Sequence, residues 1–200
     1  MMGKKFGVFA CQGGPGAENS YGGIAQAFAD SVPIMFIPDG IPLINSDVSP
    51  SFISSKNFTD ITKWSKSIND SNRIVPLMKR AFHSLKNGRP SPVLIEMHRD
   101  HMTQEVSNFK QYNSPHQSKF FPTDYFIHSS VKLLVESENP IIWSGQGVLY
   151  SSATEELKEL SSLLSLPVIT TMPGKSSFDE RNPLSLGSAN RTAPKTVWKY

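Results

Sequence analysis

The amino-acid sequence predicts an α/β fold of two incomplete parallel-sheet domains with flanking helices. Three observations predict it. Apolar runs of strand length alternate with helical stretches across short joints, the pattern of βαβ units. The pattern occurs twice, on either side of a polar segment. At both ends it is cut: the first strand begins almost at Met1, and the last helix begins only at Pro194. A parallel sheet needs cover on both faces, so the chain is expected to be a piece of a longer protein.

The elements follow in order. Lys5–Cys11, "KFGVFAC", reads as a buried strand. Gly13–Gly16 make a tight turn into a helix over Ala17–Ala29. Val32–Pro38, "VPIMFIP", is the second strand, and the crossover is expected to be right-handed. Asp39–Ser55 is rich in Pro, Asn, Ser and Asp and reads as an irregular surface loop. "ITKWSKSI" is a further strand with Trp64 turned inward. Arg73–Lys86 is the clearest helix, with Ile74, Met78, Ala81, Phe82 and Leu85 on one stripe. Asn72 is its expected cap and Asn87-Gly88 its end. Ser91–Met97 is a buried strand.

From His98 to Thr123 the chain turns polar. The expected division is one domain over 1–105, a linker over 106–123 and a second domain over 124–200. In the second domain a helix covers Tyr125–Glu136, and Pro140–Gly145 form a strand closed by Gly-Gln-Gly. Thr154–Ser165 is a helix with Leu157, Leu160, Leu163 and Leu164 on one side. Leu166–Met172 is the next strand, and Pro194–Tyr200 begin another helix.

Composition excludes several function classes. The charge is +3, with no run of five basic residues, so the footprint of a nucleic-acid binder is missing. No apolar run approaches the roughly 20 residues of a membrane span. The opening run is too short for the core of a signal peptide. Cys11 is the only cysteine, which rules out an internal disulfide and a multi-cysteine metal site and fits a reducing, cytoplasmic setting.

The stretch "GGPGAENS" at Gly13–Ser20 is the main candidate for chemistry. A helix start offers free N–H groups and a positive dipole end to an anion. Yet no lysine follows at P-loop spacing, and no dinucleotide fingerprint is present. A ligand loop and a plain strand-to-helix turn both remain open on spacing alone. His98 and His101 lack a third ligand, so no metal site is expected. Asp179 and Glu180 read as surface loop, Cys11 as a buried small hydrophobe, and Met78 and Phe82 as core.

The stretch from Gly13 to Ile37 resembles the first conserved block of thiamine-diphosphate-dependent enzymes of the acetolactate synthase type. The matching positions are Gly14, Pro15, Gly16, Asn19, Gly23, Ile24, Ala25, Asp30 and Pro33. "DITKWSKSI", "AFHSLKNGRPSPVLIEMHRD", "PIIWSGQGV" and "LPVITTMPGKSSFDERNPLSLG" resemble later blocks in the same order. The family has a pyrimidine-binding, a central and a diphosphate-binding domain. The resemblance implies that this chain holds the later part of the first and the early part of the second.

It further implies that Gly14, Pro15, Gly16 and Asn19 bind the aminopyrimidine side of thiamine diphosphate. The family's catalytic glutamate would lie upstream of Met1. The magnesium and diphosphate motif would lie in the third domain, and no Gly-Asp-Gly occurs in the sequence. The complete protein would be a carboligase or decarboxylase, a transferase or lyase acting on a 2-oxo acid. It would be a homo-oligomer, dimer or tetramer, and the chain alone would be inactive. Gly145 and Gly147 are the candidate positions for FAD or ADP in the central domain, with Lys175 and Arg191 near its phosphates. Three features depart from the family pattern. Gln12-Gly13 replace Thr-Ser, "PSF" at Pro50–Phe52 replaces Phe-Gln-Glu, and "SANRT" at Ser188–Thr192 replaces Gly-Met-His-Gly. They leave the substrate open. The alternative is a non-catalytic nucleotide-binding or scaffold protein of the same fold.

Overall fold

A computed structural model describes residues 5–106, 112–114 and 120–189. The chain divides into two compact units, Lys5–Lys119 and a second that begins at Phe120. Arg191 and the helix expected at Pro194–Tyr200 lie outside the described residues.

The first unit is built on four parallel strands. Strand β1 (Gly7–Cys11) leads into helix α1 (Pro15–Ala29) and strand β2 (Ile34–Gly40). A one-turn helix α2 (Ser54–Asn57) precedes β3 (Trp64–Ile68), helix α3 (Ile74–Lys86) and β4 (Val93–His98). The sheet order is β1-β2-β4-β3, so β4 is an inner strand with Leu94 opposite both Phe36 and Ser65.

Period-two alternation along β2 and β4 sends side chains to two faces. Phe36 and Leu94 pack with Ala17 and Ile24 of α1 and with Phe58, whose ring centroid lies 5.2 Å from that of Phe36. Met35, Val93 and Ile95 turn the other way and pack with Ile68 and with Leu77, Ala81 and Leu85 of α3. Ile74, Met78, Phe82 and Trp64 border that second cluster and are only partly buried.

Several expectations need correction. β1 is an outer strand rather than a buried one, with Val8 63% and Phe9 42% exposed, because β2 is its only partner among the described residues. The loop after β2 is not wholly irregular; it contains a 3-10 turn at Leu43–Asn45 and ends in α2. Asn72 does not cap α3. Asp70, two residues earlier, accepts the Asn72 N–H and starts a 3-10 turn over Ser71–Arg73 that runs into the helix. His98 closes β4 as a buried residue. Cys11 is half-buried rather than buried, its sulfur 3.9 Å from the Ser20 hydroxyl.

The second unit carries helix α4 (Asp124–Glu136), β5 (Ile142–Ser144), helix α5 (Gln146–Ser151), helix α6 (Thr154–Leu164), β6 (Val168–Thr171) and β7 (Ser185–Ala189). Its strands are parallel in the order β5-β6-β7. Here too the sequence misleads in part. Gly-Gln-Gly does not close β5 but opens α5. Of the four leucines of α6 only Leu157 is buried, beside Val168 and Phe178. Ser161 is buried on that helix too, where its hydroxyl donates to the Leu166 carbonyl at 2.7 Å. Among the described residues, no helix is long and apolar enough to cross a membrane.

Candidate cofactor-binding cleft

The turn from β1 to α1 is shaped by two glycines for different reasons. Gly14 sits at φ +62, the left-handed region where a side chain is strained, and directly precedes the first helical residue, Pro15. Proline suits that first position because its N–H is not needed and its φ is already helical. Gly13 is constrained by space instead. A Cβ there would run into the Asp39 carbonyl and lie 2.8 Å from the Asp39 carboxylate.

Asp39, at the end of β2, answers the question of an anion at this helix start. Its carboxylate accepts the Gly13 N–H. Its other oxygen accepts Arg99 Nε at 2.6 Å. An internal carboxylate thus already sits where the loop would offer an N–H to a phosphate.

These groups line a cleft of about 540 Å³. Pro15, Pro50 and Phe52 supply apolar surface, and Glu18, Asp39 and Arg99 supply charge. Two carboxylates against one arginine, itself paired with Asp39, make poor lodging for a diphosphate. Rigid prolines and one phenyl ring suit a flat, uncharged ring better. The residues present therefore fit the ring part of thiamine diphosphate and not its diphosphate.

Of the residues singled out in the sequence, Gly14 and Pro15 line this cleft. Gly16 stands one residue inside α1, close to Cys11 and Gln12. Asn19 is exposed on the next turn and is not part of the lining. Asp39 and Arg99 carry no local signal in the sequence, and Phe52 stands out there only within "PSF", a departure from the family's Phe-Gln-Glu. Only the Gly-Pro-Gly turn is a local signal, whereas Gly13 and Asp39 lie 26 residues apart and Asp39 and Arg99 lie 60 apart.

Beneath the loop that carries Pro50 and Phe52, a polar network fixes the chain. Glu96 of β4 is 1% exposed. Its carboxylate accepts the backbone N–H of Ser54 at 3.0 Å, the N–H of Ser55 at 3.1 Å and the Ser55 hydroxyl at 2.6 Å. It therefore caps α2, a helix with no side-chain cap of its own. Two residues on, His98 lies 2.6 Å from both the Ile41 carbonyl and the Ser67 hydroxyl. A carbonyl only accepts, so Nδ1 donates to Ile41, and in the neutral ring Nε2 then accepts from Ser67. This network ties both ends of the 41–53 segment to β4.

In the second unit, Gly145 and Gly147 lie at the carboxyl end of β5 and the start of α5. An added Cβ at either would meet no atom within 4 Å. Lys175 is held by Glu180 at 3.4 Å. The close approach in this unit is at Gly174, where a Cβ would lie 2.7 Å from the Ser144 carbonyl oxygen. A cleft of about 640 Å³ in this unit is lined by Thr154, Lys158, Phe178 and Arg181 among others and includes neither Gly145 nor Gly147. Asp179 chelates Arg181 there through Nε at 3.0 Å and Nη2 at 2.8 Å. Those hydrogen bonds hold the Asp179 carboxyl down to about 2. Among the described residues no group of three His, Cys, Asp or Glu side chains could hold a metal ion.

Comparison with known proteins gives matches for both units. The family model "Thiamine pyrophosphate enzyme, N-terminal TPP binding domain" matches residues 1–62. The model "Thiamine pyrophosphate enzyme, central domain" matches residues 111–199. The acetolactate synthase large subunit of Cyanidium caldarium is 36% identical over 198 residues, covering 90% of this chain and 32% of that protein. A protein of Methanocaldococcus jannaschii, "Probable acetolactate synthase large subunit", is 35% identical over 200 residues, covering 96% of this chain and 34% of its own length. The chain thus spans about a third of the length of the curated relatives it matches. A solved structure from Mycobacterium smegmatis, described as a thiamin diphosphate-dependent enzyme, superposes with a TM-score of 0.83 at 17% identity. It covers 96% of this chain and 38% of that one, a likeness of fold alone.

Proposed function

We propose, from the premise that the chain belongs to the thiamine pyrophosphate enzyme family, that its first unit supplies the ring-binding half of a thiamine diphosphate site. The observation that carries this reading is the cleft between Pro15 and Phe52, apolar on its walls and closed to phosphate by Asp39. When bound, thiamine diphosphate supplies an electron sink for making or breaking a carbon–carbon bond next to a carbonyl.

The chain's own residues bind and orient. Pro15, fixed by its ring and by the helix behind it, is a wall that cannot yield. Gly14 brings the backbone up to the ring without a side chain between. Gly16 and Asn19 support the loop from α1 rather than touch the ring. Phe52 faces the cleft from a segment anchored by Glu96 and His98. Placing the ring to within about 1 Å matters, because such an error can cost roughly a hundredfold in rate.

The substrate of the complete enzyme is a 2-oxo acid, and the reaction is of the acetolactate synthase type, a carboligation or decarboxylation. The catalytic glutamate, the magnesium ion and the diphosphate contacts come from outside these 200 residues. The enzyme works as a homo-oligomer in the cytoplasm. The domain boundaries at 1–105, 106–123 and 124–200 correspond to a pyrimidine-binding part, a linker and a central part. In the central part, FAD or ADP lies over the open backbone of Gly145 and Gly147, at the carboxyl end of a parallel strand where open α/β sheets take ligands.

Amide NMR of the chain with thiamine tests the ring site. Shifts are expected at Gly14, Ser51 and Phe52 and none at Gly145; silence at Gly14 and Phe52 would overturn the assignment. Calorimetry with thiamine diphosphate and magnesium should show no saturable uptake by the chain alone. Tight uptake would mean that the diphosphate contacts lie inside it.

A further inference from the structure

The first unit has a second groove that the cofactor reading leaves unused. It follows the outer edge of β3, the last strand in the sheet order β1-β2-β4-β3. One wall is α2 and the turn after it, through Lys56 and Thr59. The other is the start of α3, through Arg73 and Leu77. The groove holds about 530 Å³.

The floor is a strand edge with free peptide groups. The Lys63 N–H donates to the Pro92 carbonyl at 2.8 Å, toward β4. Pairing in a parallel ladder alternates along the chain. The Pro92 carbonyl thus points to β3, and so do those of Leu94 and Glu96. With Ser65 opposite Leu94, it is Trp64, Lys66 and Ile68 that bond to β4, and Ser65 and Ser67 turn their N–H and C=O groups outward. Such a row is a template for another extended chain.

The side chains set the chemistry of that chain. Lys56, Lys66 and Arg73 are exposed, come from three different elements and line one groove, and no carboxylate lines it. The hydroxyl protons nearby are already used inward. Ser65 donates to the Ser55 carbonyl at 2.8 Å, Ser55 to Glu96, and Thr59 to the Lys56 carbonyl at 2.8 Å. Arg73 is steered aside by a 3.2 Å bond from its Nη1 to the Asn69 side-chain Oδ1. The three cations are thus spread along the strand, with no converging nest of donors for a single small anion.

We propose that this edge is a docking site for an extended, acidic segment of a partner protein, which adds to β3 as a fifth strand. β3 has five residues, so the matching segment is about 17 Å long. Alternate glutamates or aspartates on the segment meet Lys56, Lys66 and Arg73 along the rims.

The test uses the full chain and a dye-labelled peptide of about five residues alternating glutamate with valine. Fluorescence anisotropy should saturate with this peptide and stay flat with its lysine-for-glutamate counterpart. Hydrogen exchange at the Ser65 and Ser67 amides should slow on binding, as a ladder requires. Lys66→Glu with Arg73→Glu, both on the surface, should keep the circular dichroism of the parent and weaken the peptide about tenfold, near 1.4 kcal/mol. Equal binding of the lysine peptide would overturn the proposal, as would unchanged amide exchange. Displacement of the peptide by inorganic phosphate at matched concentration would show a simple anion site instead and would overturn it too.

Discussion

Glu96→Gln is the substitution that tests the internal logic of the first unit. The native carboxylate has three donors on two oxygens, the Ser54 N–H on one and the Ser55 N–H and O–H on the other. The amide replaces one oxygen by an NH₂ group. If the NH₂ takes the Ser55 side, the hydroxyl can turn and accept, but the Ser55 N–H cannot. If it takes the Ser54 side, the Ser54 N–H is left facing a donor. Either way one backbone N–H in a nearly sealed site loses its acceptor, at a cost of about 1–3 kcal/mol. Glu96→Ala removes every acceptor and leaves a void, so about 3–5 kcal/mol is expected. Ser55→Ala keeps both N–H bonds and should cost only about 1 kcal/mol. Urea unfolding followed by circular dichroism reads these as shifts in midpoint at constant slope. A Glu96→Gln protein within about 0.5 kcal/mol of the parent would refute the claim that this carboxylate caps α2.

Other outcomes follow from the same geometry. The Ser54 hydroxyl is buried with no hydrogen-bond partner among the described residues, so Ser54→Ala should leave the unfolding free energy in urea unchanged or raise it by up to about 1 kcal/mol. Gly13→Ala must push against the Asp39 backbone and should destabilise by about 3 kcal/mol or prevent folding. Gly23→Ala, in open space within α1, should instead stabilise by about 0.5–1 kcal/mol; thermal melts of the two separate the cases. The Asp179 carboxyl should titrate by NMR at about 2, and Arg181→Ala should return it to the ordinary carboxylate range. Because that group is depressed in the folded chain, whatever the Arg181 pair adds to stability is present above the ordinary carboxylate pKa. It disappears as pH falls through about 2.

What could be read from the sequence was what local chemistry encodes. "VPIMFIP" and "SPVLIEM" are apolar and β-branched enough to announce β2 and β4, and the Gly14-Pro15 start of α1 is spelled out by adjacent residues. β7 gave no such signal. Ser-Leu-Gly-Ser-Ala has no β-branched or aromatic residue, and it is a strand because β6 lies beside it. The leucine stripe of α6 was a correct helix signal and a poor burial signal, since Ser161 and not Leu160 is buried. In the cleft, Pro15 was legible, whereas Phe52 showed only as a departure from the family pattern and not as a cleft wall. Phe52 arrives through the Glu96 cap, a bond spanning 42 residues of chain. Non-local polar bonds of that kind leave no periodicity to detect.

The strand order β1-β2-β4-β3 also bears on how the chain is made. A nascent polypeptide leaves the ribosome N-terminus first. β3 emerges before β4, yet β4 is the only strand it pairs with among the described residues. Until His98 is out of the exit tunnel, β3 has nothing to join and the α3 stripe has only part of its floor. Translation should therefore yield an unfinished sheet for most of the first unit's synthesis, then a late closure when a single six-residue strand slides between two waiting neighbours.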